Sequence, residues 1–299
     1  MNDKLGPHHV VDLAPGRRAW LNTLDISWPA HSIYGLLEVD VTLVRRFIAA
    51  HKARTGETLS FTGYLTSCLA RAVAEDKSVQ SYLKGSRQLV TFDDVDVGLM
   101  VEGQIGEKRA LMGYVLRAAN SKTFLAIHEE IRAVQSAPVP ANRGMPGWYR
   151  RVMVLPWPLS NVAKGVIKAA VRRDPTIAVA MGGTVGITSV GLFGGGRGGW
   201  GLTPTTQSLS LVIGGISWKP VIIDGRVEPR ELLSLTVMFN HDIIDGGPAT
   251  RFTRRLVELV ECGYGLDETA AATGTRLSAN EDPLAQGSRP QPAAAEFAQ

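Results

Sequence analysis

One histidine is set apart by its surroundings. In His241-Asp242-Ile243-Ile244-Asp245-Gly246 it follows the apolar stretch Leu232–Phe239 and precedes a helical pattern. A polar side chain at a strand end, next to a glycine turn, is held rigidly and still faces a cleft. An imidazole there can take a proton from a thiol or hydroxyl near neutral pH, because its ordinary pKa is about 6.5. Asp245 can orient the loop or anchor an arginine. Gly246 and Gly247 allow positive φ and a close approach of backbone to ligand.

A second group is the glycine- and hydroxyl-rich run Gly182–Gly194, which holds Thr184, Thr188 and Ser189, followed by Gly194-Gly195-Gly196 and Gly198-Gly199. A hydroxyl at a rigid strand end can donate to an oxyanion as a thioester carbonyl becomes tetrahedral. The glycines would serve a plain turn-rich hairpin equally well. No GxGxxG stands between a strand and a helix, as a dinucleotide site requires. The other histidines read as structural or surface residues. His8 and His9 lie in an irregular arm, and His51 and His128 fall on helices among charged neighbours. His31 opens a strand and remains the one alternative.

These groups need elements to position them. Ser32–Val41 alternates as a strand does, and a helix then starts near Asp40 and Thr42 with Val44, Phe47 and Ile48 on one face. A second helix is expected from about Ser60 to Asp76, with Thr62 as a candidate cap. Leu89–Phe92, Val95–Val101 and Ala110–Leu116 read as strands, and Thr123–Ser136 as an amphipathic helix. The last third is dense in β pattern: Thr184–Ser189, Ser208–Ile216, Val221–Ile223 and Leu232–Phe239. Asp224-Gly225 signals a two-residue hairpin turn. A helix over Pro248–Cys262 buries Phe252, Leu256, Leu259 and Val260.

Three segments differ in character. Residues 1–30 read as an N-terminal arm. Residues 138–176 form a proline-rich, basic insertion with an amphipathic helix at about 159–172. It is either packed on the domain or a surface for phosphates or a membrane. Residues 267–299 have the composition of a disordered tail. The domain-like pattern between them spans 31–266.

The 299 residues are 44% hydrophobic, enough for a real core. A net charge of +4 could help attract a phosphate-bearing ligand and is too weak to argue for nucleic acid. Two cysteines, Cys68 and Cys262, give neither a disulfide framework nor a zinc motif, so no metal and a reducing cytoplasmic setting are expected. No apolar run is long enough to span a membrane.

Together these residues resemble the catalytic domain of the acyltransferase component of 2-oxo acid dehydrogenase complexes, a family that shares its fold with chloramphenicol acetyltransferase. The stretch FNHDIIDGGPATRFTRRLVELVE at Phe239–Glu261 is similar to its closing motif, His-x-x-x-Asp-Gly followed by a helix. TVGITSVGLFGG at Thr184–Gly195 resembles the segment that supplies the oxyanion hydroxyl. The resemblance implies an α/β, two-layer sandwich with a mixed β-sheet covered by helices. His241 is then the general base, and Thr188, with Ser189 as its neighbour, the oxyanion donor. Asp245 holds the architecture through an arginine, for which Arg18 is a guess. Gly191, Gly194 and Gly195 are expected against coenzyme A. It also implies a homotrimer with the site in a channel between subunits. The acyl group passes between acyl-CoA and a thiol such as dihydrolipoamide.

Four features depart from the family pattern, two of them being Thr188 in place of a serine and the proline-rich insertion at 138–176. Where the family reads Asp-His-Arg, this chain has Asn240-His241-Asp242. No lipoyl module is evident, so the expectation is a separate lipoyl carrier protein, or a free thiol, amine or hydroxyl as acceptor. The competing reading is a non-catalytic assembly or binding module that keeps the fold.

Overall fold

Alternation along the strands sorts their side chains onto two faces, and one of them carries most of the helices. A computed structural model describes residues 21–22, 31–105, 108–137, 151–152, 155, 159–191 and 197–275. In chain order these contain β1 (Ser32–Asp40), α1 (Thr42–Thr55), α2 (Phe61–Glu75), β2 (Ser81–Lys84), β3 (Gln88–Thr91), β4 (Val97–Ile105) and β5 (Lys108–Leu116). There follow α3 (Phe124–Ser136), α4 (Leu159–Arg173), α5 (Thr176–Gly182), β6 (Val185–Ser189), β7 (Leu209–Ile223), β8 (Arg226–Asn240), α6 (Gly246–Glu261) and α7 (Leu266–Thr273).

The main sheet runs β1-β8-β7-β6-β4-β5. β6 is parallel to both β4 and β7, while the other pairs are antiparallel, so the sheet is mixed. Val97, Leu99, Val185, Ile187, Leu209, Leu211, Ile213, Leu233, Leu235, Val237 and Phe239 point toward the helices and belong to one buried core. This is the two-layer α/β sandwich expected from the sequence.

The helices dock by their apolar stripes. α1 buries Val44, Phe47 and Ile48, and α3 buries Phe124, Ile127, Ile131 and Val134. α6 buries Phe252, Leu256, Leu259 and Val260, and Phe252 meets Phe239 edge-on with ring centroids 5.8 Å apart. That contact ties the end of β8 to α6, so the loop between them is pinned at both ends. Truncating a buried leucine such as Leu256 costs about 2–5 kcal/mol.

The long β7–β8 hairpin closes at Asp224 and Gly225, both with positive φ, as the hairpin signal requires. It carries a register shift between Ile213 and Ile216. Four details differ from the sequence reading. Ser60, not Thr62, caps α2, its Oγ accepting the Gly63 N–H at 3.0 Å. β2 and α5 were not anticipated. The separate stretches 208–216 and 221–223 are one strand. The segment read as a tail begins with α7, whose Leu266 and Thr269 are buried. Beyond it, buried Thr275 meets His51 Nδ1 at 2.9 Å.

The arm, apart from 21–22, and residues 276–299 lie outside the described residues, as does most of 138–158. The helix expected at about 159–172 is present as α4. It is fastened where the Gly85 N–H donates to the Arg172 carbonyl at 2.6 Å, and Ser160 is its buried residue. Among the described residues, no helix is long and apolar enough to cross a membrane.

Candidate active site

The loop after β8 has every backbone N–H from 241 to 244 engaged. His241 N–H donates to the His31 carbonyl at 3.0 Å. Asp242 N–H donates to Asn240 Oδ1 at 3.0 Å. Ile243 and Ile244 N–H both donate to the Asn240 carbonyl, at 3.1 and 3.0 Å. Ile244 is buried and anchors the turn in the core. The backbone is thus fixed while the imidazole stays accessible, 44% exposed. Asn240 accepts three of these N–H groups, two on its backbone carbonyl and one on its amide oxygen.

Asp245 ends the loop and serves as the N-cap residue of α6, although its side chain caps no N–H. Its carboxylate is 87% exposed, with Oδ1 3.8 Å from His241 Nδ1. That separation is too long for a hydrogen bond. Among the described residues, no arginine is paired with Asp245. Arg18, guessed as the arginine, lies outside the described residues.

Thr188 is the fourth residue of β6. Val185 and Ile187 face the core, so Thr188 faces the opposite side of the sheet with Gly186. It is half-buried, and no described group is hydrogen-bonded to its hydroxyl. Ser189 points to the other side, is exposed, and accepts the Gly191 N–H at 3.4 Å. Gly191 is therefore held next to the hydroxyl segment. Gly194 and Gly195 fall in 192–196, outside the described residues.

The segment 198–201 lies across this second face. Gly199 N–H donates to Ser234 Oγ at 3.0 Å, and Trp200 Nε1 donates to the Leu37 carbonyl at 2.9 Å. Tyr34 and Leu36 of β1 share the face and are exposed, as are Trp200 and Leu202.

One chain does not bring His241 and Thr188 together. Thr188 is level with Val212, which is level with Thr236, and His241 lies beyond the far end of β8. Strand rise and spacing put the pair roughly 17 Å apart along the strands and roughly 10 Å across them.

The sequence reading missed the contact between His31 and Asp242, whose Nδ1 and Oδ1 are 2.6 Å apart. His51 and His128, read as structural or surface residues, are buried: His128 Nδ1 accepts the Ser60 N–H and Nε2 meets Glu57. Cys68 is buried, which pushes its thiol up to about 12, and burial also raises Cys262. Neither is poised as a thiolate nucleophile. Among the described residues, no three His, Cys, Asp or Glu side chains are grouped to hold a metal ion.

The chain is similar to several known proteins. It is 24% identical over 239 residues to the dihydrolipoyllysine-residue succinyltransferase component of the 2-oxoglutarate dehydrogenase complex of Saccharomyces cerevisiae. That match covers 78% of this chain and 43% of the yeast protein. The chain spans less than half the length of the first curated relatives it matches. Its fold superposes on dihydrolipoamide acetyltransferase of Azotobacter vinelandii with a TM-score of 0.62 and 23% identity, covering 88% of this chain and 96% of that one. That structure was determined to study a serine, a histidine and an asparagine in the catalytic mechanism. The cubic core of a pyruvate dehydrogenase multienzyme complex matches with a TM-score of 0.61, at 22% identity and over 88% and 96% of the two chains. The profile of one family matches residues 6–138 and 156–265, most of the chain. The chain therefore belongs to the 2-oxoacid dehydrogenases acyltransferase (catalytic domain) family.

Proposed function

We propose that this chain is a CoA-dependent acyltransferase that works as a homotrimer in the cytoplasm, with His241 as base and Thr188 of a neighbouring copy as oxyanion donor. The observation that carries the reading is the state of the two groups. The His241 imidazole is exposed on a fully hydrogen-bonded loop, and the Thr188 hydroxyl stands uncommitted among the described residues. The roughly 20 Å between them in one chain calls for a second copy to complete the site. Exposed Tyr34, Leu36, Trp200 and Leu202, on and beside the face that holds Thr188, suit burial against that copy.

In the step, His241 takes the proton from an acceptor thiol, and the sulfur attacks the thioester carbonyl. The carbonyl oxygen becomes an oxyanion and accepts the Thr188 O–H. Collapse breaks the bond to the CoA sulfur, and the departing thiolate recovers the proton from the imidazolium. Atoms and charges balance without redox chemistry. Asp245 stands beside the ring, 3.8 Å from Nδ1. The backbone at Gly191, Gly194 and Gly195 is assigned to the acyl-CoA side. Dihydrolipoamide, presented by a separate carrier, is the proposed acceptor.

The test is steady-state transfer from acetyl-CoA to dihydrolipoamide, comparing the parent with His241→Ala. Turnover in the parent, lost in the variant, supports the reading. Equal background rates across acyl chains and across thiol, amine and hydroxyl acceptors would leave a binding module.

A further inference from the structure

We propose that His31 is a positioning residue for His241, acting through Asp242; the proposal rests on His241 being the base. His31 reaches the loop twice. Its carbonyl accepts the His241 N–H at 3.0 Å, and its ring Nδ1 lies 2.6 Å from Asp242 Oδ1. One residue at the head of β1 therefore grips both members of the dipeptide that carries the imidazole. The two residues are 211 positions apart, so the grip crosses from the edge strand to the loop after β8. Asp242 is held from its other side as well, its N–H on Asn240 Oδ1.

Stability does not explain the contact. The His31 side chain is 74% exposed and that of Asp242 31% exposed, and pairs in such settings contribute little to folding. Geometry does. Base catalysis depends on placing the ring within a fraction of an ångström, and a misplacement of about 1 Å can cost about 100-fold in rate. The position where the family pattern has arginine holds Asp242 here, and that carboxylate meets the residue just before β1.

The experiment measures kcat, KM for both substrates, and melting temperature for His31→Ala, Asp242→Ala, the double variant and Asp242→Asn. Amide hydrogen exchange of residues 240–245 is measured on the same proteins. The expected result is a kcat about 10- to 100-fold lower in each alanine variant, with KM and melting temperature unchanged. The double variant is no slower than either single. Asp242→Asn, which keeps an acceptor for the ring N–H, retains kcat within about threefold of the parent. Exchange of the loop amides speeds up in the alanine variants. Additive losses in the double, a KM rise without a kcat loss, a melting shift that tracks the activity, or unaltered exchange would each overturn the proposal. If His241→Ala is as active as the parent, the base assignment fails. Exchange still reports whether His31 holds the loop.

Discussion

Thr188 and His241 occupy one sheet but stand two strands apart, with His241 five residues past Thr236, the β8 residue level with Thr188. Their side chains cannot share a substrate within a chain. What each can do alone is clear from its setting: a fixed, accessible imidazole at one edge, and a half-buried hydroxyl on the face away from the helices.

The orientation of β6 separates the two candidate hydroxyls. Thr188→Val is expected to lower kcat about 100- to 1000-fold, the usual effect of losing an oxyanion donor. Thr188→Ser keeps the donor and should stay within about tenfold of the parent. Ser189→Ala, which removes a hydroxyl engaged with the Gly191 N–H on the other side, should change kcat less than about threefold. Initial rates at saturating substrates decide this, and the reverse ranking would move the donor role to Ser189.

Much of this was legible in the sequence because it is local. The stripes of α1, α3 and α6 and the turn at Asp224-Gly225 follow from periodicity and turn chemistry, and all four are present. His241 and Asp245 stand out by their neighbours in sequence, and Thr188 by the family resemblance. The rest is non-local. No spacing reveals that His31 meets Asp242 or that His51 meets Thr275, contacts that span more than 200 residues. β2 has only four residues, too few for a pattern. The alanine- and threonine-rich α7 has a tail-like composition and is ordered by burying Leu266 against the core. The turn brings residues 241 and 245 within 3.8 Å of each other, a contact that the sequence reading did not include.

A close approach of backbones supports the face that carries Thr188. At Gly214, beside the register shift in β7, an added Cβ would press into the carbonyl oxygens of Gly199 and Ser234. Both are backbone atoms and cannot swing aside. Gly214→Ala should destabilise the fold by about 1–3 kcal/mol in urea unfolding. It should also lower kcat, because segment 198–201 packs over Val212, the partner of Thr188. Parent-like unfolding and kcat would show that the segment yields freely.

The buried His51 makes stability depend on pH. Burial first, and then the Arg54 charge, hold its pKa below the ordinary 6.5, and Nε2 has no partner among the described residues. Between the folded pKa and 6.5 the unfolded chain binds more protons at this site, so stability falls as pH falls through that window. Glu57, whose carboxyl is lowered chiefly by its hydrogen bond from His128, acts only below 4.5. Melting temperatures from pH 8 to 5 should therefore decline below about 6.5, and His51→Leu should flatten that decline. Equal slopes in parent and variant would assign the effect elsewhere.

The most direct measurement of the central claim is complementation between two inactive chains. His241→Ala keeps Thr188, and Thr188→Val keeps His241, so neither homotrimer has an intact site. Co-expression with distinct tags and purification of the mixed trimers should restore about a third of the parent activity, since a closed ring with either two-to-one composition holds one intact site among its three. A mixed species no more active than the average of the two single variants would contradict a site shared between subunits.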